Sequence, residues 1–154
     1  MYSLLASNKL KGEISELLVA HLLRRKGFLV YRPEKLLMKI RRLKLPESYE
    51  VEFLREHSKT MDFFAIFPES NAMDSREVVF QLFSCCGLKR YFERPEHQGF
   101  VVEVKSGSAE LSPRQRGMIR QAQRLGFKSL IAHVRYSENY WVDVSFRVLD
   151  GGER

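Results

Sequence analysis

The chain of 154 residues predicts an α/β domain with a mixed central sheet flanked by helices. Three observations carry that class. Residues 9–26 place leucines, isoleucine and valine at helical spacing, and five later runs have the length and alternation of strands. A later amphipathic helix opening at Pro113 separates the third run from the fourth. At this length one domain over 1–154 is expected. An apolar fraction of 44% supplies a sizeable core and excludes wholesale disorder.

The first helix spans about Lys9 to Lys26. Leu10, Ile14, Leu17, Leu18 and Leu22 recur on one face, and Val19, Ala20 and Leu23 widen it until most of the helix middle requires burial. Arg24, Arg25 and Lys26 suit its negative C-terminal end, and Gly27 stops it. Phe28 to Tyr31 reads as a strand ending before Pro33. Between Pro33 and Pro46, Leu36, Leu37, Ile40 and Leu43 share a helical face and basic residues cover the rest. Thr60 to Phe67 reads as a strand, with Asp62, Phe64 and Ile66 on one side. Residues 68–99 read as an irregular insertion, in which Val78 to Phe83 suits a strand and the stretch through Tyr91 equally suits a helix. Phe100 to Lys105 is a strand, Pro113 to Gly126 a helix, Lys128 to Val134 a strand, and Tyr140 to Leu149 an additional C-terminal strand.

The longest apolar run, Leu17 to Leu23, is too short to span a bilayer and is broken by His21. The first residues lack the pattern of a secretory signal. Cys85 and Cys86 are adjacent, which suits neither a disulfide framework nor a zinc site, so a reducing, cytoplasmic setting is expected. The net charge of +7 is uneven: residues 1–46 hold eleven basic and three acidic side chains, 47–99 six and ten, and 100–154 nine and six. Two basic ends flank an acidic middle, which suggests a polyanionic partner.

Chemistry concentrates on two strands. Val101, Glu103 and Lys105 share one face of theirs, where an acid and an amine among valines must be paired, solvated or functional. By composition an acid-x-Lys triplet arises about once in such a chain, so alone it carries little. Asp62 adds weight, because it too interrupts an apolar strand. Were the strands neighbours, Asp62 and Glu103 would converge on one divalent cation, Mg2+ by the hardness of its ligands, with Mn2+ as a substitute. The Val104 carbonyl would be a further ligand, and Lys105 would orient and help deprotonate the attacking water. The competing reading of Asp62 is a strand-end carboxylate held in a turn.

These residues resemble the PD-(D/E)XK nuclease superfamily, in which a strand Asp precedes a Glu-x-Lys strand. The opening is similar to archaeal-type Holliday-junction resolvases: Lys11-Gly12-Glu13-Ile14-Ser15-Glu16, then apolar residues to Gly27-Phe28 and on to Pro33. The resemblance covers about 9–33, 60–67 and 100–135. It implies a restriction-endonuclease-like αβββαβ core carrying the extra strand and the insertion. It also implies Mg2+-dependent hydrolysis of DNA phosphodiesters, a branched substrate and a homodimer. Met61 stands where the family's nominal proline would precede Asp62, and Glu103 follows Asp62 by 41 positions. By spacing, the family's helical acid falls on Glu16, with Glu13 one turn away as the reserve. The family's polar residue on the following helix falls on Gln115, which also fits a capping box with Ser112. Lys9, Lys11, Lys39, Arg41, Arg42, Arg116 and Arg120 would track phosphates around the site, although each alone reads as solvated surface. The 35–44 segment has a rival reading as a membrane-surface or partner-binding helix. The alternative for the whole chain is a non-catalytic nucleic-acid-binding module on the same fold.

Overall fold

A computed structural model describes residues 8–68, 74–84, 98–107, 109–138 and 142–149. Along the chain run α1 (Asn8–Arg25), β1 (Leu29–Tyr31), α2 (Pro33–Arg42), α3 (Tyr49–Glu56), β2 (Phe63–Phe67), α4 (Ser75–Ser84), β3 (Gln98–Ser106), α5 (Pro113–Arg124), β4 (Lys128–Tyr136) and β5 (Val142–Leu149). The strands form one sheet in the order β1-β2-β3-β4-β5. Only β3 and β4 are parallel, and α5 makes the crossover between them; the other three pairings are antiparallel. The expected mixed α/β class is what the chain adopts. Among the described residues, no helix is long and apolar enough to cross a membrane.

Alternation along β2 and β3 sorts the core into two layers. On one face Phe63, Ala65, Phe100 and Val102 meet Val19, Ala20 and Leu23 of α1. On the other, Phe64, Ile66 and Val101 meet α2, α3, α4 and α5 through Leu36, Ile40, Val51, Leu54, Val78, Met118 and Ala122. Phe64 and Phe127 pack edge to face at 5.0 Å. Gly99 lies so close beneath both that a Cβ there would come 2.8 Å from Phe64 Cζ. Burying each of these rings is worth about 1.5–3 kcal/mol.

The two helices whose ends matter most stop in the same way. Gly27 and Gly126 take φ of 100° and 90°. The following N–H groups reach back across the last turn, Phe28 to Leu23 and Phe127 to Ala122, at 3.1 and 3.0 Å. These bonds satisfy otherwise orphaned carbonyls and turn the chain sharply into β1 and β4. The α5 start is equally defined: Ser112 Oγ accepts from Gln115 N, the Gln115 side chain returns to Ser112 N, and Pro113 sits in the first turn.

Three local expectations change. Residues 49–56 form α3, for which no periodic signal stood out, capped where Ser48 Oγ accepts from Val51 N at 3.2 Å. The strand expected from Thr60 begins at Phe63, because Thr60 and Met61 complete the turn out of α3 with N–H bonds to the His57 carbonyl. The segment 68–99 is not wholly irregular: α4 lies within it, and Val78, Val79, Leu82 and Phe83 are core residues. Cys85, Cys86 and the stretch through Tyr91 lie outside the described residues, as do Tyr140 and Trp141.

Candidate functional site

The antiparallel register sets Phe63 opposite Val102, and this brings Asp62, in the bend just before β2, beside Glu103 and Val104. The Val104 N–H donates to Asp62 Oδ2 at 2.8 Å, in place of a backbone acceptor on the adjoining strand. Within a strand, the N–H and C=O of one residue leave on the same side, and successive residues alternate. Val104 therefore turns both backbone groups toward Asp62, while Glu103 turns its own toward β4. Asp62 and Glu103 thus lie side by side, close enough for each carboxyl to act on the other.

Two like-charged groups facing each other inside a protein are costly unless something neutralises them. Glu103 is fully buried. Burial first, and then the Asp62 carboxyl, push its pKa up from the ordinary 4.5 to about 9. The Asp62 carboxyl is also raised, chiefly by burial, with Glu16 adding and the Val104 N–H opposing. Glu103 Oε2 accepts from Gln115 Nε2 at 2.9 Å, whereas Glu103 Oε1 is buried without a hydrogen-bond donor. A carboxylate oxygen in that position requires a proton or a cation.

Gln115 organises the rest. Its Oε1 accepts from Lys105 Nζ at 2.6 Å and from Ser112 N at 2.9 Å, and its Nε2 serves Glu103. Donors on one side and a carboxylate on the other fix the orientation of the amide. The capping-box reading and the site reading of Gln115 both hold. Lys105 itself is the cross-strand neighbour of His133.

Glu16 does not join the acidic pair directly. It projects from α1, across the sheet, and meets Arg32 Nη1 at 2.5 Å. The same Arg32 nitrogen lies 3.5 Å from the Asp62 carbonyl oxygen, and the guanidinium lies over the Phe63 ring at 4.5 Å. Glu16 thus reaches the site through Arg32, while Glu13 is exposed. The significance of Arg32 escaped the sequence reading; an arginine placed directly after β1 and before a proline was the available signal.

Asp62, Glu103 and the Val104 carbonyl offer hard oxygen ligands, and the orphaned Glu103 Oε1 is the atom a cation would satisfy, so the residues fit a divalent ion. Among the described residues no group of three His, Cys, Asp or Glu side chains surrounds one point. Of the expected DNA-facing residues, Lys9, Arg41, Arg42, Arg116 and Arg120 are exposed, and Lys11 and Lys39 are half-buried. Lys39 donates to Ser75 Oγ at 2.9 Å; with Arg42 and Arg76 it lines a cleft of about 430 Å³ beside Tyr31. The N-terminal half of α1 is anchored at the site's end of the sheet, where Tyr136 OH donates to the Lys11 carbonyl and bonds Ser15 Oγ. No family model, curated protein or solved structure matches the chain.

Proposed function

We propose that the protein is a Mg2+-dependent endonuclease that hydrolyses DNA phosphodiesters. The observation that carries the reading is a buried acidic pair, Asp62 and Glu103, with an orphaned carboxyl oxygen beside an amide-tethered lysine. Asp62, Glu103 and the Val104 carbonyl would hold the ion. When bound, it supplies positive charge to the phosphate and lowers the pKa of water. Lys105, its ammonium anchored by Gln115, positions the attacking water and steadies the negative charge that develops on the phosphate oxygens. Arg32 holds Glu16 at the margin of the site and adds a second fixed cation there.

The element order supports the resemblance to PD-(D/E)XK nucleases. Setting α2, α3 and α4 aside leaves α-β-β-β-α-β followed by one strand, with Asp62 leading into the second strand and Glu103 and Lys105 on the third. A branched DNA such as a four-way junction, cut by a homodimer, is the substrate that the likeness to Holliday-junction resolvases suggests. The test is incubation of wild type, Glu103→Ala and Lys105→Ala with linear, flapped and four-way DNA, in Mg2+ and in EDTA. Cleavage by wild type in Mg2+ alone, reduced on the order of 100-fold or more in both variants, is expected. Absence of wild-type cleavage, or equal cleavage by the variants, overturns the proposal; salt-dependent DNA binding without cleavage would leave the non-catalytic module.

A further inference from the structure

We infer that the groove between α5 and β5 binds an unpaired stretch of the nucleic-acid strand that enters the site, an inference that rests on the nuclease reading for the identity of that strand. Cross-strand partners share a face of a sheet, and the register carries the site's face outward from β3. Glu103 pairs with Ile131 and Ile131 with Arg147, while Ser129 pairs with Leu149. Met118, Ile119 and Ala122 of α5 are buried, but on β5 Arg147 is exposed and Leu149 half-buried. The helix therefore covers the middle of this face and leaves its β5 margin as the floor of a groove.

Two adjoining cavities of about 490 and 290 Å³ occupy that groove and share Leu111, Arg116 and Arg147. The smaller is lined by Lys105 and His133, so it opens directly onto the catalytic lysine. The larger continues away from the site past Arg120, Ile119 and Leu149. Among the described residues that line the two cavities, Arg116, Arg120, Arg147 and Lys105 are basic and Glu110, 3.9 Å from Arg116, is the one acid. Such a balance complements a chain of phosphates.

Apolar lining narrows the ligand further. Leu111, Ile119 and Leu149 line the larger cavity together with the arginines. A duplex stacks its base faces internally and presents phosphates outward, which leaves nothing for those leucines to cover. An unpaired strand offers phosphates together with free base faces, and arginine planes serve both by pairing and stacking.

The test uses the full chain without metal, so that binding is read apart from cleavage. Fluorescence anisotropy with labelled oligothymidylate and with a duplex of equal length compares wild type, Arg120→Ala/Arg147→Ala, Leu149→Ala and a control pair, Arg25→Ala/Lys26→Ala, at the far end of α1. The groove pair is expected to weaken oligothymidylate binding about tenfold and to flatten the slope of log K against log salt by about 1.4, at about 0.7 per arginine removed. Leu149→Ala should lower single-strand affinity several-fold without changing the slope or duplex binding. Undetectable single-strand binding by wild type, equal losses in the control pair, or equal losses for duplex overturn the groove assignment. If wild type cleaves while the groove variants bind normally, the groove falls and the nuclease reading stands. If cleavage is absent but the groove losses appear, the reverse holds.

Discussion

Replacing Glu103 by glutamine should stabilise the protein in a pH-dependent way, and the size of the effect follows from the geometry. Burial and the facing Asp62 raise the Glu103 pKa from 4.5 to about 9. Between those values the folded protein holds a proton that the unfolded chain has released, so stability falls as pH rises. The slope is about 1.4 kcal/mol per pH unit, or about 3 kcal/mol between pH 6 and pH 8. Glutamine has no proton to lose. Its amide can still accept from Gln115 with one atom and donate toward Asp62 with the other, filling the position left orphaned by Oε1. For a chain of this size about 3 kcal/mol corresponds to roughly 6–12 °C in Tm. Thermal unfolding in EDTA, followed by circular dichroism at pH 6 and pH 8, should show the gap between Glu103→Gln and wild type widening by that amount. Adding Mg2+ at pH 8 should recover much of it in wild type and none in the variant, because the ion takes the place of the proton. Parallel pH profiles in the two proteins would refute the reasoning, since the pair would then be solvated or already neutralised by another group.

Three other outcomes follow from the same contacts. Gln115→Ala removes the side-chain half of the capping box and releases both Glu103 and Lys105; about 1–3 kcal/mol of stability should be lost, together with about 10- to 100-fold in Mg2+ affinity read by titration. Arg32→Ala and Glu16→Gln should each reduce cleavage, and the double variant should be no worse than Arg32→Ala, as single-turnover rates would show if Glu16 acts through Arg32. Gly99→Ala should lower stability by about 1–3 kcal/mol in urea unfolding with the site chemistry intact, because its new methyl group would press on Phe64 and Phe127.

What the sequence made legible was local. Helix α1 announces itself through Leu10 to Leu23 and its Gly27 stop, and α5 through Pro113, its capping box and Gly126. Strands β3, β4 and β5 are visible as apolar or alternating runs. Helix α3 was missed because eight residues give little room for periodicity; its signal was Ser48 as a cap followed by Glu50 and Glu52 in the first turn. Helix α4 was ambiguous, since Val78-Val79-Phe80 and Leu82-Phe83 suit either period. Pairing across the sheet was less accessible still. That Asp62 lies beside Glu103 depends on a register set after 40 intervening residues, and that Arg147 joins the same face depends on two further registers. The residue types of the site could be proposed from one dimension, but Arg32 and Arg147 matter only through partners that are distant in sequence.

Gln115 shows why the fold and the candidate site stand or fall together. Its backbone N–H closes the first turn of α5 on Ser112, while its side-chain oxygen takes both the Ser112 N–H and the Lys105 ammonium. The start of the crossover helix is therefore fixed by the atoms that orient the lysine. Were α5 to begin one residue later, the amide would turn by about 100° around the helix and lose Glu103. The buried carboxyl would then lose the amide donor on its Oε2. A capping motif that elsewhere contributes about 1 kcal/mol to a helix end here also sets the angle at which the amide meets the acid and the amine. The same register directs Arg116 and Arg120, one and five residues further on, to the wall of the groove facing β5. Conservative changes at Ser112 should accordingly disturb Mg2+ affinity as well as helix stability, although Ser112 itself touches neither carboxylate.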